Sequence, residues 1–139
     1  MVIDVWPPGA TTGPLVRLTN PDKVLYPSTG TTKADVFRYY TTIAEAMVPH
    51  IAGRPATRKR WPNGVEATAF FEKELAKSAP AWLHRGVLVH KSGETTYPII
   101  DDSIGLAWIA QQAALEVHVP QWLFDAKGRP GQIGRASCR

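Results

Sequence analysis

The longest stretch with one unbroken period covers residues 32–47. There Val36, Tyr40, Ile43, Ala44 and Met47 recur at the spacing that lines up one side of an α-helix. Thr32 and Asp35 have the form of a capping box at its start, and Pro49 is expected to end it. A helix with one apolar stripe must bury that stripe, so the remaining segments have to supply a surface for it.

Those segments are short. Leu15-Val16-Arg17-Leu18 and Val24-Leu25-Tyr26-Pro27 read as extended pieces separated by the turn chemistry of Asn20-Pro21-Asp22. Residues 56–61 alternate, sending Arg58 and Arg60 to one side and Thr57, Lys59 and Trp61 to the other; Pro62-Asn63-Gly64 closes this strand, which has a basic face. Residues 87–90 and 95–100 flank Lys91-Ser92-Gly93-Glu94, a four-residue loop that predicts a β-hairpin. Residues 104–116 predict a second helix capped by Asp102 or Ser103, and residues 117–124 a last strand. Two main helices with a mixed or antiparallel sheet place the chain in the α/β (α+β) class.

Residues 1–14, with Pro7-Pro8-Gly9 and Gly13-Pro14, read as a flexible leader, residues 15–124 as one domain, and residues 125–139 as a disordered or artefactual tail. Residues 133–139 resemble a translated sequencing adapter. The chain is 44% hydrophobic and 20% charged, which excludes a largely disordered protein. Its one cysteine, Cys138, permits no disulfide framework and fits a reducing cytoplasmic setting. No apolar run approaches the ~20 residues that span a bilayer, and the start lacks the features of a signal peptide, so no membrane partner is expected. A net charge of +4 leans toward an anionic partner.

Three groupings carry chemistry. Lys23 lies in the loop after residue 20 and Lys33 in the first turn of the long helix, where backbone N–H groups favour an anion. Together they can hold a phosphate; the alternative is two solvated lysines. Arg58-Lys59-Arg60-Trp61 and Phe70-Phe71-Glu72-Lys73 combine cations that track a phosphate backbone with rings that stack on unpaired bases; the alternative buries both phenylalanines in the core. Glu116 and His118 share one face of the last strand and line a cleft, unless His118 is a hydrogen-bonded structural residue. His50, His84 and His90 show no ligand spacing, and Asp101-Asp102 reads as helix capping rather than a metal pair.

Longer strings go further than these patterns. Leu18-Thr19-Asn20-Pro21-Asp22-Lys23-Val24-Leu25-Tyr26-Pro27, Gly53-Arg54-Pro55-Ala56-Thr57-Arg58-Lys59-Arg60-Trp61-Pro62-Asn63-Gly64, Phe70-Phe71-Glu72-Lys73, Tyr97-Pro98-Ile99-Ile100-Asp101 and the run from Gly105-Leu106-Ala107-Trp108 through Glu116-Val117-His118-Val119-Pro120-Gln121-Trp122 closely resemble the polymerase module of bacterial ligase D, over about residues 16–124. The resemblance implies the N-terminal part of an archaeo-eukaryotic primase-like fold and a DNA repair polymerase of non-homologous end joining. It also implies DNA ends or gapped duplexes and nucleoside triphosphates as ligands, Ku and a ligase domain as partners, a nucleoid-associated place in the cytoplasm, and Mn²⁺ or Mg²⁺ in the intact domain. Carried across residue by residue, it assigns Asn20, Lys23 and Lys33 to a DNA 5′-phosphate and Phe70 and Phe71 to template bases. Lys59, Arg60 and His118 fall to the incoming nucleotide. The family's Asp-x-Asp strand motif and later third aspartate have no counterpart within the matching residues, so no catalytic or metal-binding carboxylate is expected in this chain. The alternative is a non-catalytic DNA-end-binding module that uses only the phosphate pocket and the aromatics.

Overall fold

A computed structural model describes residues 2–5 and 15–124. Strand β1 (Val2–Val5) pairs antiparallel with β2 (Val16–Thr19), and β3 (Val24–Tyr26) with β4 (Thr31–Thr32). Two helices follow, α1 (Lys33–Thr42) and α2 (Ala44–Ile51), then β5 (Thr57–Arg60) and β6 (Phe70–Glu72). The hairpin of β7 (Arg85–His90) and β8 (Gly93–Pro98) leads to α3 (Ser103–Gln111) and β9 (Ala114–His118). Every strand pairing among the described residues is antiparallel, and one sheet has three strands in the order β6-β5-β9. The α+β class follows as expected, and no helix among the described residues is long and apolar enough to cross a membrane.

Several elements differ from the sequence reading, each for a local reason. The expected leader is a strand where described, at Val2–Val5; the rest of residues 1–14 and all of the tail 125–139 lie outside the described residues. The first expected helix divides at Ile43, giving three helices rather than two among the described residues. Thr41 Oγ1 donates to the carbonyls of Phe37 and Arg38 at 3.1 and 3.0 Å, and Thr42 Oγ1 to that of Arg38 at 2.7 Å. Such back-bonding competes with the helical ladder, and the run Thr41-Thr42-Ile43 is β-branched throughout.

Pro49 does not end the helix but sits inside α2, which runs on to Ile51. The carbonyl its missing N–H would have served belongs to Glu45, an exposed residue that water can reach. The hairpin turn is Lys91-Ser92, with His90 opposite Gly93 at φ 137°, so the loop is two residues rather than four. The last helix stops at Gln111 because Ala113 turns left-handed at φ 53°. Residues 114–116 therefore belong to β9, although their apolar spacing continues the helical period, and β9 ends at His118 rather than continuing to residue 124.

The core forms around α3, which is buried from Gly105 through Ala110 as befits a helix apolar on all sides. Leu106 and Ile109 are fully buried, each contributing roughly 1.5–3 kcal/mol relative to exposure. Asp102 caps this helix through Gly105 N at 2.8 Å, and a Cβ on Gly105 would stand 3.1 Å from Ile100 Cγ2. Helix α1 carries the expected capping box: Asp35 N donates to Thr32 Oγ1 at 3.2 Å and Thr32 N to Asp35 Oδ2 at 2.9 Å. It buries Val36, Phe37 and Tyr40, and Tyr40 donates to Ala114 O at 2.7 Å, tying α1 to β9. This packing holds together the end of β2, the start of α1 and the end of α3.

Candidate nucleic-acid interface

Thr19 closes β2, Lys33 opens α1 and Gln111 closes α3, and their side chains meet. Thr19 N donates to Gln111 Oε1 at 2.8 Å, while Thr19 Oγ1 accepts from Gln111 Nε2 at 2.8 Å and from Lys33 Nζ at 3.1 Å. The loop before α1 is fastened to it by Lys33 N to Lys23 O at 2.8 Å and Ala34 N to Pro21 O at 2.9 Å. Asn20 makes the turn at φ 50°, a left-handed conformation that asparagine tolerates. Asn20, Lys23 and Lys33 thereby line one cavity of about 220 Å³, together with Arg60 and Gln112.

The cavity is rich in positive charge. Lys33 is only 7% exposed. Burial lowers its pKa from 10.5 to about 8, with Lys23 and Arg60 pushing the same way. The hydrogen-bond partners of the two lysines are neutral, Thr19 for Lys33 and, at 3.0 Å, Asn63 Oδ1 for Lys23. Arg60 is steered in by Nε donating to Gln112 O at 2.7 Å, with Nη1 paired to Glu72 Oε1. The first amides of α1 are taken by Lys23 O, Pro21 O and Thr32 Oγ1, so it is the two ammonium groups and the guanidinium converging on one cavity that make a site for an anion.

The three-stranded sheet divides the other basic and aromatic residues between its faces. Lys59 stands opposite Phe71 on β6 and Glu116 on β9, so these three share a face. On it, the Lys59 ammonium lies 5.2 Å from the Phe71 ring centroid and 5.0 Å from that of Trp61. The Phe71 and His118 rings are 6.0 Å apart, and His118 Nε2 donates to Glu116 Oε2 at 3.0 Å. Phe71 is 63% exposed. This face offers a cation, an imidazole and an open ring side by side, suited to a phosphate chain, a sugar and a base.

Phe70 pairs with Arg60 on the opposite face and is half exposed. Phe70 and Phe71 are therefore both accessible, but on different sides of the sheet. Arg60 likewise faces away from Lys59 and joins the lysine cavity, as the alternation along residues 56–61 indicates and the shared nucleotide assignment of the two residues does not. Arg58 is 1% exposed and belongs to no basic surface. It donates to the carbonyls of Ala56, Lys73 and Glu74 at 2.9, 3.1 and 3.0 Å and pairs with Glu72. Burial lowers its pKa, and Glu72 acts in the opposite sense.

The carboxylates do not gather. Asp101, expected to share in capping, instead accepts from Gly53 N at 3.0 Å and from His84 Nδ1 at 2.6 Å. Asp102 caps α3, Glu72 lies between two arginines and Glu116 holds His118. Among the described residues no three His, Cys, Asp or Glu side chains come together for a metal ion. Divalent Mn or Mg needs converging oxygens, so these residues do not fit one.

Thr19, Gln111 and Gln112 are the participants that the sequence did not announce. A threonine at a strand end and a glutamine pair at a helix end carry no motif, and only the packing around α3 makes them neighbours of Lys33.

The chain also has recognisable relatives. A family model described as LigD, primase-polymerase domain, matches residues 32–134. The chain is similar to the multifunctional non-homologous end joining protein LigD of Mycolicibacterium smegmatis, 76% identical over 110 residues, which cover 79% of this chain and 14% of that protein. The multifunctional non-homologous end joining DNA repair protein LigD of Mycobacterium tuberculosis H37Rv is 66% identical over 125 residues, covering 90% of this chain and 16% of that one. Among solved structures, the polymerase domain of Mycobacterium tuberculosis ligase D in complex with DNA superposes with a TM-score of 0.80 at 67% identity, covering 85% of this chain and 43% of that chain. The chain thus spans a small part of the curated relatives and under half of the solved polymerase domain. It shares that domain's primase-like fold and, matched by the family model from α1 through β9, belongs to the LigD primase-polymerase domain family.

Proposed function

We propose that this chain is the DNA-engaging part of a repair nucleotidyltransferase of non-homologous end joining, acting on 5′-phosphorylated DNA ends or gaps in the cytoplasm. The observation that carries the reading is the cavity in which Lys23, Lys33 and Arg60 converge while both lysines have only neutral hydrogen-bond partners. A terminal phosphate supplies the missing negative charge, and Asn20 adds an amide donor. Lys59 then meets the triphosphate of a bound nucleotide and His118 its sugar, while Phe71 and Phe70 meet template bases from the two sides of β6. Arg60, placed beside the lysines, serves the end phosphate more directly than the nucleotide. Ku, nucleoside triphosphates and a ligase domain of the whole protein complete the proposed set of partners. No chemical step is assigned to a metal, because the described carboxylates do not form its site.

Fluorescence anisotropy on recessed-end duplexes with and without a 5′-phosphate tests the reading. The phosphorylated end is expected to bind roughly tenfold tighter, since a charge-assisted hydrogen bond contributes about 1.5–3 kcal/mol. Lys23→Ala should remove most of that difference, and equal affinity for the two ends contradicts the proposal. The dispersal of Asp101, Asp102, Glu72 and Glu116 favours a second reading for the chain taken alone, a module that binds DNA ends without transferring nucleotides.

A further inference from the structure

The lysine cavity does not close behind Arg60. Arg60 and Gln112, which line it, also line a second cavity of about 190 Å³ with Arg58 and Glu72. That cavity shares Gln112 and Trp108 with a third, of about 420 Å³, which reaches Trp82 and Arg17. Gln112 lines all three, so they adjoin around it as a row of hollows, or trough, between the start of α1 and the Trp82 indole.

Two donors along this trough are unspent. Arg58 Nε is buried without a hydrogen-bond partner, although the rest of the guanidinium is engaged. A buried N–H lacking an acceptor is destabilising, and its presence in a fold calls for a reason. Gln112 uses its backbone carbonyl to hold Arg60, while its half-buried side-chain amide makes no hydrogen bond among the described residues. The trough is also cationic at its lysine end, where Lys23, Lys33 and Arg60 are set against Glu72. At its far end Trp82 is half-buried, and the Trp108 ring lies 5.7 Å from the Arg58 guanidinium carbon. Cations, an amide donor and an indole surface are what an unpaired strand requires, whereas a base paired and stacked in a duplex keeps its Watson–Crick edge from Gln112 and its faces from Trp82.

We propose that this trough holds unpaired nucleotides at the 5′ end of a DNA strand, with the terminal phosphate at Lys23 and Lys33 and the first bases at Gln112 and Trp82. The inference rests on the phosphate reading above and adds the state of the strand. Ends frayed from the template are taken in preference to fully paired ends, because only they free a Watson–Crick edge for the Gln112 amide and a base face for Trp82.

The test is anisotropy with four gapped duplexes, with or without the 5′-phosphate and with the last two base pairs on that side matched or mismatched. The phosphorylated mismatched end should bind at least about fivefold tighter than the phosphorylated matched one, the effect of stacking roughly one base. Gln112→Ala, with its melting temperature checked against the parent chain, should cut that advantage to under about twofold. Trp82→Leu should do the same. Equal binding of matched and mismatched phosphorylated ends overturns the inference, as does an advantage that survives in both variants. A mismatch advantage equally large without phosphate severs the trough from the lysine cavity and also overturns it. Loss of phosphate preference at matched ends is a different outcome, which removes the phosphate reading itself.

Discussion

Lys33 Nζ and Thr19 Oγ1 lie 3.1 Å apart, and because Gln111 donates to the same oxygen at 2.8 Å, the group that orients the lysine is pinned from across the core. Burial of the lysine so held lowers its pKa from 10.5 to about 8. Two opposite pH trends follow. Between those two values the unfolded chain carries the extra proton, so the contribution of Lys33 to stability rises with pH across that window. Phosphate binding needs the ammonium, so the preference for a 5′-phosphorylated end should fall as pH passes upward through about 8. Anisotropy across that range should show the decline in the parent chain and a flat, weak preference in Lys33→Met. A parent profile without a decline contradicts the assignment.

Neighbouring basic residues on β5 should behave differently. Arg58→Met removes the donor to three backbone carbonyls and a partner of Glu72, and is expected to cost roughly 3–5 kcal/mol of stability. Lys59→Ala, whose side chain meets only ring faces, should change stability by no more than about 1 kcal/mol while weakening nucleotide binding. Urea unfolding of the two variants decides this, and comparable losses contradict it.

Phe70 and Phe71 should act independently because they lie on opposite faces of β6. Each alanine variant should lower DNA affinity by about 1 kcal/mol or more, with the double variant close to the sum and little change in melting temperature. A sharp fall in melting temperature for Phe71→Ala with DNA affinity intact would restore the core reading.

What the sequence made legible was local chemistry. The Thr32–Asp35 box, the Asp102 cap, the hairpin and the shared face of Glu116 and His118 all depend on residues a few positions apart. Alternation also separated Lys59 from Arg60, and the fold keeps them apart. Threonine hydroxyls dividing the long helix at Ile43, and a left-handed Ala113 cutting the last one short, were outvoted in the pattern by apolar spacing that continues past both. The burial of Arg58 and the meeting of Thr19, Lys33 and Gln111 arise from contacts distant in sequence, which no local period encodes.

The 139-residue chain should not extend a primer even where it binds the end, because among the described residues no carboxylates converge: Asp101 and Asp102 serve His84 and Gly105 N, Glu116 serves His118, and Glu72 lies between two arginines. Nucleotidyl transfer asks carboxylates to converge on two metal ions about 3.5–4 Å apart. A gapped duplex incubated with Mn²⁺ and each nucleotide in turn should remain unextended. Metal-dependent extension by the pure chain contradicts this account of its carboxylates.

The central claim, that a terminal phosphate sits among Lys23, Lys33 and Arg60, is read most directly from the phosphate itself. A phosphate monoester loses its second proton near pH 6 in water, and surrounding cations favour the dianion. A ³¹P NMR titration of a 5′-phosphorylated recessed end should therefore show this pKa falling by about one unit when the chain is bound. Lys23→Ala and Lys33→Met, at protein concentrations that still saturate the DNA, should return it toward the free value. A phosphate that titrates in the complex as it does in free DNA contradicts the claim.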